Sequence, residues 1–194
     1  MLVLMLLPIS ATAGTLDSAS FRQLNTQRIH TDMNGMWALA SWGLMHTVVG
    51  LAGATLESTG ELKHFHQMNA AWGMVNLGIA GLGYFGARRE LNKSYSPSRA
   101  LHRYEATKRL YLINAGLDGL YIAIGVFLTE HAKHSGDADL YRGFGKSLIL
   151  QGAGLLIFDV AMFSAHHRKD EGWYRALEGL SVSGNGIGWR YVIR

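Results

Sequence analysis

The chain has 194 residues, 48% of them hydrophobic and 16% charged, with a net charge of +4 and no cysteine. Its length allows one domain, and the missing cysteine excludes disulfides, thiolate catalysis and cysteine-held zinc or iron–sulfur centres. The mild positive charge comes with no nucleic-acid recognition motif, so nucleic acid is not expected as a partner. These averages conceal a segregation of charge. Met36 to Leu56, Met68 to Ala87, Leu110 to Thr129 and Ser147 to Ala165 contain no Lys or Arg and only two acids between them. A soluble amphipathic helix carries charge on its wet face, whereas these segments match the roughly 20 apolar residues that cross a hydrocarbon core of about 30 Å. The pattern predicts an all-α membrane protein with four transmembrane helices.

In chain order, Met1 to Gly14 holds an apolar run from Leu2 to Ile9 and then Ala11-Thr12-Ala13, which reads as a secretory signal peptide, although the usual positive start is missing. A polar segment from Thr15 to Asn34 follows. The first two spans are joined by a short loop around Glu57 to His66, which forces an antiparallel hairpin; the last two form a second hairpin through Glu130 to Lys146. Between them lies a basic connection, Arg88 to Arg109, where Pro97 should block helix and Leu101 to Arg109 restart it. Residues 169–194 read as an extramembrane tail. Its alternation from Leu180 through Gly184-Asn185-Gly186 to Ile193 predicts a β-hairpin.

Two rules disagree about orientation. Fourteen Lys and Arg lie on the side of the N-terminus, the middle connection and the tail, against four on the other, which puts both termini in the cytoplasm. A cleaved signal would put the mature N-terminus on the opposite side. Trp42-Gly43 and Trp72-Gly73 occupy corresponding places in the first two spans, as an inverted repeat or as two answers to one packing demand.

The chemistry lies in residues that an apolar span should not contain. His46, Asn76, Asp118 and Asp159 fall within about 5 Å of the bilayer centre at 1.5 Å per residue, with Asn114 and Gln151 extending the layer. Acids at that depth must be protonated, paired or wetted, and His46 is the expected partner. The layer is then either interhelical glue or a site for a proton, a cation or a small ligand. Histidine also gathers at one interface, where His64, His66, His131 and His134 make a metal site conceivable, and a haem between two imbedded imidazoles less so. No nucleophile with an adjacent base, no oxyanion motif and no phosphate loop can be placed, which argues against an enzyme. Glycines spaced by four, and aromatic residues such as Trp37, Tyr84 and Tyr141, are explained by packing and by an interfacial belt.

His64-Phe-His-Gln-Met-Asn69, Asn76-Leu-Gly-Ile-Ala80, Arg109 to Asp118 with Tyr121-Ile122, and Gly145 to Gln151 with Phe158-Asp159 resemble an uncharacterised family of small four-helix bacterial membrane proteins. The resemblance covers roughly residues 20 to 170. It implies a signal-like start, four spans and no assigned activity, and it directs attention to Asn69, Asn76, Asn114, Asp118, Gln151 and Asp159; the expected location is the bacterial inner membrane. The expected function is a non-enzymatic accessory, assembly or homo-oligomeric component of the lipid bilayer. The alternatives are a proton- or cation-coupled transporter or channel using Asp118 and Asp159, and a metal- or haem-binding membrane protein. No cofactor is specified by the sequence.

Overall fold

The computed structural model describes residues 13–57 and 59–180, and among them every regular element is helical. Five α-helices follow in order: α1 (Ala13–Leu56), α2 (Gly60–Glu90), α3 (Pro97–His131), α4 (Ala138–His167) and α5 (Asp170–Leu180). A short 3-10 turn, Ala132–His134, closes the end of α3. Gly60 makes the α1–α2 turn with φ of +82°, in the left-handed region that favours glycine. Pro97 starts a helix instead of blocking one: as the first residue of α3, its missing N–H and fixed φ are no handicap there.

Helices α1 and α2 pack antiparallel, as do α3 and α4, and α4 also lies against α2 and α1. The seams are made by glycine. A Cβ on Gly43 would come within 2.8 Å of the Gly73 carbonyl, and one on Gly73 within 2.6 Å of the Gly43 carbonyl. The repeated Trp-Gly pair is thus where α1 and α2 cross backbone to backbone. Gly125 and Gly145 do the same for α3 and α4, at 2.6 Å.

This half of the molecule is apolar on its outside. Val48, Leu82, Leu112, Phe127 and Ile157 are exposed, at 57% to 80%, while the interior holds small residues, Asn69, Asn76, Gln151, Asp118 and Asp159. A water-soluble protein buries its large apolar side chains; an outward apolar band over a polar, glycine-rich interior suits helices surrounded by lipid. Three helices, α1, α3 and α4, are long and apolar enough to cross a membrane. Helix α2 falls short on average hydropathy, because Asn69, Asn76 and its glycines dilute an apolar run.

Two sequence expectations change at the other end. The polar segment Thr15 to Asn34 is not a separate piece but the first half of α1, unbroken over 44 residues. The stretch after Lys169 forms α5, which places Trp173, Ala176 and Leu177 on one face at helical spacing. Its Trp173 is fully buried against Phe21, Ala100 and Tyr104, a small aqueous-type core outside the apolar band. The hairpin expected from Leu180 lies outside the described residues, apart from Leu180 itself, which ends α5; no strand occurs among the described residues. Most of the signal-like stretch, residues 1–12, lies outside them too.

Candidate functional site

The interior polar residues separate into two patches about two turns apart along α4. The first is centred on Gln151, which is completely buried. Its Nε2 donates to Asn69 Oδ1 at 2.7 Å, and its Oε1 accepts from Trp42 Nε1 at 3.0 Å and from Asn76 Nδ2 at 3.4 Å. One amide therefore ties α4 to α1 and twice to α2. Asn69 spends its own N–H on the Phe65 carbonyl one turn back, at 3.1 Å. His46 belongs here, with its ring 4.3 Å from that of Trp42 and its side chain in reach of Asn69. The expected pairing of His46 with the aspartates is not formed: depth along α1 gave its height, but the helix turns the imidazole toward α2.

The second patch lies between α3 and α4. Asp118 and Asp159 are 3% and 4% exposed and face each other, with Asn114 in reach of Asp159. Both carboxylates are acceptors, so their contact becomes a hydrogen bond only when one of them carries a proton. Asp118 Oδ2 and Asp159 Oδ1 otherwise have no hydrogen-bond partner, and neither has His46 Nε2. About 12 Å of α4 separates Asp159 from Gln151 at 1.5 Å per residue.

The four surface histidines are dispersed. His64 packs edge-on against Phe144 and shares a 3.2 Å hydrogen bond with Gln67, and His66 fills the space beside Gly53. His131 lies between Phe127 and Tyr141, while His134 ends the 3-10 turn. Among the described residues no three His, Asp or Glu side chains gather closely enough to hold a metal ion.

A third polar group, which the sequence reading missed, sits where the apolar band ends. Arg28, only 4% exposed, donates to Asn25 at 3.1 Å, to Asp32 at 3.2 Å, to Thr107 at 3.3 Å and to Glu90. Glu90 also takes Arg103 at 2.6 Å. His166, fully buried, meets Asp32 Oδ1 at 2.8 Å through Nε2, and Tyr111 donates to the same oxygen at 3.3 Å. Lys108 bridges Asp170 at 2.7 Å and Glu105 at 3.2 Å, and Tyr104 places its hydroxyl between the His166 carbonyl and Asp170. All five helices contribute. Asp170 lies beyond the apolar segments, and although burial by itself pushes its carboxyl up, the hydrogen bonds from Lys108 and Tyr104 outweigh that and hold it below the usual carboxylate range. The available signal was the scarcity of acids at a basic end: Asp32, Glu90, Glu105 and Asp170 are the partners of its buried cations.

No curated protein and no solved structure matches the chain. Residues 38–160 match the model of a family of unknown function, DUF6992. That region runs from the apolar half of α1 to the residue after Asp159, so it contains both interior patches and leaves out Arg28, Asp32, His166 and α5. With most of its length inside the match, this small chain, helical over its described residues, belongs to the DUF6992 family of unknown function.

Proposed function

We propose that the chain is an integral membrane protein of the bacterial inner membrane in which all four long helices, including α2, cross the bilayer, and that it serves as a non-enzymatic accessory, assembly or homo-oligomeric component. The case for α2 is its division of labour: Met74, Val75, Ile79, Leu82 and Phe85 are exposed, while Asn69 and Asn76, which lower its average hydropathy, are hidden against α4. The observation that carries the functional reading is the Gln151 amide, whose oxygen takes two donors and whose nitrogen gives one bond, all three to side chains of two other helices. A polar group bonded to two neighbouring helices fixes their register and rotation in lipid, where apolar surface alone discriminates poorly.

The test is Gln151→Leu, which keeps the volume and removes all three bonds. It should unfold at lower SDS fraction and yield less of the native oligomer or complex on extraction in mild detergent; a variant as stable and as well assembled as the parent would end this reading. Because the chain has no cysteine, orientation is open to single-cysteine labelling. Arg168→Cys should react with an impermeant maleimide from the cytoplasmic side and Lys133→Cys from the other; the reverse pattern would favour the signal-directed topology.

A second reading is supported by a specific observation, the facing carboxyls of Asp118 and Asp159 with an oxygen each left without a partner. A pair of acids sharing a proton in the middle of a bilayer can load and release it, the elementary step of proton-coupled transport. Asp118→Asn and Asp159→Asn should then abolish proton flux into liposomes without loss of fold, and unchanged flux would exclude transport.

A further inference from the structure

We infer that the Asp118–Asp159 pair exchanges protons with one side only, the basic end of the molecule, through Tyr111, Asp32 and His166. This rests on the second reading above and gives the proton its route. Tyr111 sits on α3 between the pair and the charged end. It is 5% exposed, packs edge-on against Phe158 at 6.3 Å, stacks on His166 at 5.7 Å and lies within electrostatic reach of Asp159. Its hydroxyl is already aligned on Asp32 Oδ1 at 3.3 Å, the oxygen that also meets His166 Nε2 at 2.8 Å. Asp32 is 13% exposed, so the chain of groups ends where water begins.

The transfer is proton movement alone. When a side-chain rotation brings Asp159 to the Tyr111 oxygen, it hands over its proton as Tyr111 hands its own to Asp32, and Asp32 passes it to His166 or to water; charge is conserved and Tyr111 ends neutral. Arg28 pairs with Asp32 at 3.2 Å, Lys169 lies nearby, and Glu90 balances Arg28 from α2. In the opposite direction neither 119–129 of α3 nor 147–158 of α4 carries a carboxyl or an imidazole, and the Thr129 hydroxyl at the seam is spent on the Gly125 carbonyl. Gly152 lies on the Asp118 carbonyl and Ile122, and Gly125 lies on the Gly145 carbonyl and Ile149, with backbones too close for a side chain or a file of water. The neighbouring amides of Gln151, Asn69 and Asn76 do not ionise, and His46 is bound into that separate patch.

Infrared spectroscopy of the full chain in liposomes separates the route from the reading it rests on. The parent should show a protonated-carboxyl stretch that Asp118→Asn or Asp159→Asn removes and that shifts on transfer to D2O. Tyr111→Phe should keep the band at its frequency while slowing its hydrogen–deuterium exchange on the order of a hundredfold, the size of a lost proton-transfer group. If that variant does not fold, Asp32→Asn reads the same step and should slow exchange likewise. A parent without the band overturns the proton reading and the route together; a band whose exchange is as fast in the folded variant as in the parent overturns the route and leaves the reading standing.

Discussion

At the scale of single residues, Gln151 illustrates how a side chain that is awkward in an apolar segment becomes the junction of three helices. Interhelical hydrogen bonds in membranes average about 0.6 kcal/mol each, so losing the three made by Gln151 should cost about 1–2 kcal/mol in Gln151→Leu, read as a shift of the SDS unfolding midpoint. Asp170 makes a prediction outside the apolar band. Its carboxyl titrates lower folded than unfolded, so its contribution to docking α5 is fully present above the ordinary carboxylate range and is lost as pH falls through the lower, folded value. Tryptophan emission should shift to the red below about pH 4, near the unstrained aspartate value. Asp170→Asn should show the shift already at neutral pH, and Trp173→Phe should abolish it, identifying the reporting indole; emission unchanged by acid would refute the assignment. The residues of the interior patches were legible because charge-free segments make Asp, Asn and Gln conspicuous. Trp42 was not, since an indole in an apolar run reads as packing, and the partner of His46 was misjudged because depth along a helix says nothing about the direction a side chain takes around it.

At the scale of elements, glycines sort into two kinds that sequence spacing does not distinguish. Gly43, Gly73, Gly125 and Gly145 lie under a neighbouring backbone, whereas a Cβ on Gly81 or Gly119 would meet nothing within 4 Å. Gly73→Ala should therefore push α1 from α2 and destabilise by about 1–3 kcal/mol, as overpacking does. Gly81→Ala should be neutral or stabilising, since alanine favours helix over glycine by up to about 1 kcal/mol; equal effects in a thermal unfolding series would contradict the seam described here. Helix ends were the least legible feature. Apolar runs mark where a chain enters and leaves lipid, not where its helix stops, and α1 and α3 continue into the charged end because Phe21, Ala100 and Tyr104 find a second core beneath Trp173. That core depends on α5, to which a tail reading gave no helix.

At the scale of the whole molecule, the reversal of apolar outside and polar inside is the property that composition hides and three-dimensional packing reveals. It predicts that Leu82→Cys and Ile157→Cys, exposed at 80% and 72%, react with a lipid-soluble maleimide but not with an aqueous one, while Glu171→Cys does the opposite. Aqueous labelling of both apolar sites in the folded protein would remove lipid as the surrounding medium. The unbroken course of α1 has a mechanical corollary. Its 44 residues make a rod about 66 Å long at 1.5 Å per residue, of which the first half stands clear of the apolar band. A tilt of about 10° within the bilayer would swing the far tip by about 6 Å over that outer arm. Stretching or thinning of the surrounding lipid would in this way be felt first as a displacement of the charged cap, with α1 as the crank.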